Sequence, residues 1–257
     1  RIISLNKKKS SMFLNCHSFH SLRYGTLSEE ALVEQAADLG IKTLVLTDIN
    51  TVSGIYTFKK RCEEHGIKPI AGVEVRKDNQ LLYISIAKEF SALSEINQLL
   101  TNFNCHGEDL PLVSPNFKNV FVIYPLENRP EILKENEFIG VRESELNQLI
   151  RPEIQLLLDK MVMLNSVTFK TRREYNLHRI LRAIDQNTLI SKLTEKGYCR
   201  DDEHFKRPRE VMEEFQFYPQ LIENTAKILE NCSFEFELKK SRTKQNFTDS
   251  KENDILL

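Results

Sequence analysis

The sequence predicts an α/β protein, a distorted βα barrel with a C-terminal helical extension, on three observations. From Met12 onward, apolar segments rich in β-branched residues alternate with helical patterns. The first three segments each end in polar, metal-capable side chains: His17, Thr47-Asp48 and Glu74. Strand signals stop near Thr171, and only helical patterns follow. Alternating strands and helices imply a mostly parallel sheet, and α/β barrels build their sites from residues at the C-terminal ends of strands.

Phe13-Leu14-Asn15-Cys16 reads as the first strand. Thr26 and Glu29 have capping-box spacing, followed by Leu32, Ala36 and Leu39 at helical intervals and Gly40 as a stop. Residues 41–46 read as a strand buried on both faces, 52–65 as a helix ended by Gly66, and 68–75 and 81–87 as further strands. Residues 91–100 are helical, and a polar stretch with two prolines, 102–115, breaks the pattern. Residues 120–124, 138–141 and 161–164 read as strands, with helical patterns at 143–150 and 154–160 split by Pro152. Thr171 and Glu174 repeat the capping-box spacing and open a helix with Leu177, Leu181 and Ile184 aligned. Residues 208–215 and 219–231 each begin a helix with proline in the first turn.

Charge and cysteine content narrow the function classes. Lys+Arg 36 against Asp+Glu 37 gives a net charge of -1, so no global field favours nucleic acid. Five cysteines without a CxxC pair indicate neither a disulfide framework nor a zinc ribbon; reduced thiols in a cytoplasmic protein are the expectation. No apolar run approaches the roughly 20 residues that span a bilayer, so no membrane partner is expected. No GxSxG, Walker loop or GxGxxG occurs.

Several segments together resemble the PHP domain (polymerase and histidinol phosphatase) of bacterial DNA polymerase III alpha subunits. They are Asn15-Cys16-His17-Ser18, Arg23-Tyr24-Gly25-Thr26-Leu27, Leu46-Thr47-Asp48 and the run from Gly66 to Glu74. Tyr83 to Lys88, Glu174 to Ile184, Tyr218 to Thr225 and Phe247 to Lys251 add support in the same order. The resemblance implies a TIM-barrel-like fold and a cluster of up to three metals at the barrel mouth. Such a cluster would activate a hydroxide and cleave phosphate esters.

Mapped residue by residue, most ligands of that cluster are absent. The family's opening HxH becomes Asn15-Cys16-His17, its loop acid Tyr24, and its TDH motif Thr47-Asp48-Ile49. A later histidine falls at Leu82, the ligand after the next strand at Pro125, and the final Asp-x-His at Ser166-Val167-Thr168. His17 and Glu74 remain as a vestigial, unoccupied pair, with Asp48 and His20 as supporting candidates. A catalytic zinc takes about three protein ligands, so two side chains argue against catalysis. The plain alternative is that His17 and Glu74 hydrogen-bond each other or the backbone, and that Asp48 caps a helix or orients a neighbour.

The expected function is therefore a catalytically inactive structural and docking domain of a replicative polymerase. Its expected partners are the polymerase body of the same chain, a proofreading exonuclease subunit, and DNA through the parent protein. No cofactor is expected for this chain, and magnesium for the parent. Two alternatives are a metal-dependent phosphoesterase or 3′–5′ exonuclease with a rearranged site, and a free-standing PHP-like protein. The expected organisation is an extension over 1–11, the barrel domain over 12–204, a helical extension over 205–238 leading to the polymerase body, and a linker over 239–257.

Overall fold

The computed structural model describes residues 13–236. The expected extension over 1–11 and linker over 239–257 lie outside the described residues. Among the described residues there are eight strands: β1 (Asn15–Cys16), β2 (Thr43–Leu46), β3 (Lys68–Lys77), β4 (Gln80–Ala87), β5 (Val120–Pro125), β6 (Glu137–Val141), β7 (Met161–Met163) and β8 (Ser166–Val167). The helices are α1 (Glu29–Asp38), α2 (Ile55–Glu64), α3 (Leu93–His106), α4 (Pro152–Gln155), α5 (Arg172–Asp185), α6 (Pro208–Glu214) and α7 (Pro219–Glu230). Residues 143–150 coil into 3-10 turns rather than an α-helix.

β2 to β7 form one six-stranded sheet in chain order, and β1 pairs with β8. Cys16 and Thr47 join the two sheets, since the Thr47 amide donates to the Cys16 carbonyl at 2.9 Å. The strands thus curl into an α/β barrel-like wall. Its interior holds Leu14, Val45, Ile70, Ile84, Ile123 and Val162, one from each of several strands. A second layer outside packs Leu32 and Val33 of α1, Phe58 of α2 and Ile96 of α3 against the sheet. These strands are buried on both faces, which is why they read as near-continuous apolar runs.

Four of the six strand pairings among the described residues are parallel, as a mostly parallel sheet requires. The other two involve β4, which is antiparallel to both β3 and β5. The β3–β4 connection is a two-residue turn in which Asp78 and Asn79 both take positive φ, 48° and 67°. Asx residues tolerate that conformation, and two such residues match the twist of a hairpin. Two expectations about elements need correction. α3 runs on to His106, through residues that read as a break, and stops where Gly107 adopts a left-handed φ of 69°. The Thr26–Glu29 capping box does not form. Ser28 caps α1 by accepting from the Ala31 amide, and Thr26 donates to the Thr168 carbonyl instead. The second box, Thr171 with Glu174, forms in both directions.

α7 seals the end of the barrel where β3 begins. Lys68 donates to the Leu229 carbonyl at 2.9 Å, and Ile228, Leu229 and Cys232 join the interior cluster. Asn224 donates to the carbonyls of Leu158, Asp159 and Met161, while the Thr225 hydroxyl accepts the Met163 amide. The opposite end, where β1, β2 and β3 finish, is the mouth. Gly25 shapes one of its loops: a Cβ there would lie 1.8 Å from the Ser18 carbonyl oxygen. Gly25→Ala is therefore expected to force the 18–25 loop apart and cost about 1–3 kcal/mol. Thermal melting beside wild type checks this; an unchanged midpoint would contradict the close approach.

Candidate functional site

The ends of β1, β2 and β3 bring the expected residues together at the mouth. Glu74, the seventh residue of β3, is fully buried and lies at the centre. Its Oε2 accepts from Asn15 Nδ2 at 2.8 Å and lies 3.0 Å from His17 Nε2. Its Oε1 accepts from Arg76 Nε at 2.5 Å. Both carboxylate oxygens thus have close protein donors.

His17 is equally committed. Its Nδ1 lies 3.0 Å from Thr168 Oγ1, and that hydroxyl is 2.8 Å from Glu203 Oε2. The Thr168 hydroxyl donates to Glu203, and the two ring nitrogens of His17 are divided between Thr168 Oγ1 and the Glu74 carboxylate. Asn15 completes the set: Nδ2 also reaches Ser166 Oγ at 3.0 Å, and Oδ1 accepts from Thr47 Oγ1 at 2.7 Å. Asn15, His17, Glu74, Ser166 and Thr168, five positions that the sequence assigned to the site, therefore form one hydrogen-bonded cluster.

Arg76 was not foreseen. Its guanidinium carbon lies 4.4 Å from the centre of the Tyr24 ring while Nε holds Glu74. Burial alone would push the Glu74 carboxyl up, but the Arg76 and His17 neighbours outweigh it and hold it well below the usual carboxylate range. Burial likewise works against the Arg76 charge, and Glu74 more than offsets this, so Arg76 stays protonated more firmly than a free arginine. The available signal was a cation two residues after a candidate ligand on a strand, since i and i+2 share a face.

Tyr24 fills the space between the charges. Its ring meets His17 edge-on at 5.3 Å and His178 at 4.6 Å. Burial pushes its phenol up, against the pull of Arg76. His178 sits behind it, with Nδ1 2.6 Å from the Tyr24 carbonyl and Nε2 accepting from the Cys199 amide at 2.8 Å. Burial pushes His178 down to about 4, so it is neutral near pH 7 and fixed as the Nδ1–H tautomer.

The remaining positions lie around the cluster. Asp48 accepts from the Ser18 amide, the Ser18 hydroxyl and the Ser21 hydroxyl at 2.6–2.7 Å, so it ties down the 18–21 loop. His20 points away and pairs with the buried Glu29, Nε2 to Oε1 at 2.9 Å. Ile49 bridges Glu74 through the backbone and packs its side chain beside Tyr24 and Phe169. Pro125 stands on the rim of the mouth depression that also contains Tyr24 and Arg76. Leu82 does not reach the mouth. The β3–β4 register shifts beside it, so Leu82 packs in the outer layer and Leu81 faces the mouth. Among the described residues, no group of three or more His, Cys, Asp or Glu side chains is placed to hold a metal ion.

The PHP domain profile matches residues 14–241. The error-prone DNA polymerase of Symbiobacterium thermophilum is 24% identical over 272 residues, covering 87% of this chain and 25% of that protein. The DNA polymerase III subunit alpha of Halalkalibacterium halodurans is 24% identical over 267 residues, covering 90% of this chain and 24% of that protein. The chain thus spans about a quarter of the length of these curated relatives. A solved amidohydrolase from Chromobacterium violaceum aligns with 70% of this chain and 84% of its own at 12% identity, with a TM-score of 0.30, too low to bear on fold or chemistry. No helix among the described residues is long and apolar enough to cross a membrane. With its strands curled around a mouth of the matching residues and the profile covering most of its length, this chain belongs to the PHP domain family.

Proposed function

We propose that this chain is a metal-independent structural and docking domain of a longer replicative polymerase. The observation that carries the reading is the contact between Arg76 and Glu74, with His17 and Asn15 on the other carboxylate oxygen. A protein cation stands beside the carboxylate that would otherwise face a metal. The donors present do not fit a metal ion, because Glu74 is held by Arg76, Asn15 and His17 and no third His, Cys, Asp or Glu among the described residues joins the pair. Two cations a few ångströms apart would also repel Arg76.

In this reading residues 12–204 are the barrel domain, 205–238 the helical extension that leads to the polymerase body, and 239–257 the linker. α7 suits that task because it is bonded to β3 and β7, so a body attached beyond it would be held to the barrel. The polymerase body of the same polypeptide is the first partner and a proofreading exonuclease the second. DNA and magnesium belong to the body, and the setting is cytoplasmic.

The test is turnover and metal content. The purified chain, supplied with zinc, manganese or magnesium, is expected to leave phosphate monoesters and 3′-labelled single-stranded DNA intact. It is also expected to retain no stoichiometric metal after dialysis. Robust cleavage that disappears in His17→Ala and Glu74→Ala variants would overturn the reading in favour of a rearranged phosphoesterase or 3′–5′ exonuclease.

A further inference from the structure

α5 is oriented against its own amphipathicity. The sequence places Leu177, Leu181 and Ile184 on what should be the core-facing stripe, but the helix turns a different side to the barrel. Tyr175, His178, Arg182 and Ala183 are buried. Leu177, Ile180 and Ile184 face outward at 45%, 42% and 60% exposure. Arg173, Leu177, Ile180 and Ile184 follow i, i+3, i+4 spacing and so lie in one row along the solvent side. The inward face is fixed by polar bonds that cannot be traded for leucines: His178 bridges Tyr24 and Cys199, and Arg182 Nε donates to the Gly197 carbonyl at 2.9 Å.

The apolar row continues past the helix. Leu189 and Ile190 are exposed and, with Ile180 and Ile184, line an open groove of about 930 Å³. A helix that is apolar on its outer side as well as packed on its inner side is built to be covered. Charge identifies the cover. Lys192 is the one charged side chain lining the groove, and Arg173 stands at the opposite end of the row; both are exposed. The nearby acids are engaged: Asp185 pairs with Arg182 and Arg23, and Glu174 accepts the amides of Lys170 and Thr171.

We propose that this face docks an amphipathic helix of a protein partner, with its apolar stripe in the groove and acidic residues at both ends against Arg173 and Lys192. The proposal rests on α5 alone and stands apart from the reading of the barrel mouth.

The test uses the whole chain and two labelled synthetic helices with leucines at i, i+3, i+4 and i+7, one flanked by glutamates and the other by lysines. Fluorescence anisotropy is expected to show the glutamate-flanked helix binding about tenfold or more tightly than its counterpart, and weakening with added salt. Ile180→Asp and Ile184→Asp, both at exposed positions, are expected to weaken it about tenfold while leaving the melting temperature in place. Arg173→Glu with Lys192→Glu is expected to reverse the preference toward the lysine-flanked helix. Equal binding of the two helices, or indifference to these variants, would overturn the proposal. So would self-association of the chain that Ile180→Asp abolishes, because a second copy would then be the occupant.

Discussion

Arg76→Ala is expected to destabilise the fold by about 3–5 kcal/mol near neutral pH, as expected when a buried charge loses its partner. The reason is the carboxylate it would abandon. Glu74 is fully buried, and Arg76 holds one of its oxygens at 2.5 Å. With the guanidinium gone, burial again pushes the Glu74 carboxyl up, and Asn15 and His17 alone must hold the charge. The pH dependence has a definite sign. In the wild type the folded Glu74 sits below its unfolded value, so its contribution is full above the unfolded pKa of about 4.3 and is lost as pH falls toward the folded value. In the variant, acidification protonates an unpaired carboxylate and relieves it. The stability gap between the two proteins should therefore be widest near pH 7 and narrow as pH falls, from the variant's raised folded value toward the wild type's depressed one. Glu74→Gln in the Arg76→Ala background should recover most of the loss, since it removes the orphan charge. Urea melts of the four proteins of this cycle across pH check it. A gap under about 1 kcal/mol, or one that does not change with pH, would show that Glu74 has no need of Arg76.

The barrel was legible because its strands are buried on both faces and carry β-branched residues, so short apolar runs such as 43–46 and 120–125 stand out between helical patterns. The hairpin was not, because Asp78-Asn79 makes a two-residue turn without the glycine that marks most such turns. α3 was cut short for a related reason. Its last turn is polar and reads as a loop, although Gly107 is an ordinary left-handed stop. α5 shows a different limit. Periodicity finds the apolar stripe correctly but cannot say whether it meets the barrel or something else. Here the polar pair His178 and Arg182 decides the matter through backbone partners more than ten residues away in sequence.

The site was legible as a set of positions and illegible as a network. Strand-end placement and motif order put Asn15, His17, Glu74, Ser166 and Thr168 at one mouth, and they do touch. What these side chains are to one another was not readable. Asn15 and Thr168 each bond a remaining metal-capable side chain. Arg76 contributes through a charge that no ligand motif would flag. A buried carboxylate without partners would leave uncompensated charge. The Arg76 cation and the neutral Asn15 amide meet that requirement together.

The same geometry offers positions at which a metal site can be built. The side chain at position 15 already contacts the Glu74 carboxylate, and residue 49 bridges Glu74 through the backbone. Asn15→His and Ile49→His combined with Arg76→Ala would place three imidazoles and one carboxylate around one point and remove the competing cation. Imidazole and carboxylate donors in that number suit zinc. The variant is expected to be less stable than wild type without metal, because Glu74 is then unpaired, and to regain about 2.7 kcal/mol at a zinc concentration one hundred times its dissociation constant. Wild type should show no zinc-dependent rise in melting temperature, because Arg76 and the hydrogen bonds already engage the donors. Calorimetric melts with and without zinc, read beside metal content after dialysis, separate the cases. A folded triple variant that ignores zinc would mean that these positions do not converge closely enough to share an ion. A zinc-dependent rise in the wild type would mean that Arg76 leaves the mouth when a metal arrives, and that the ion pair guards a working site.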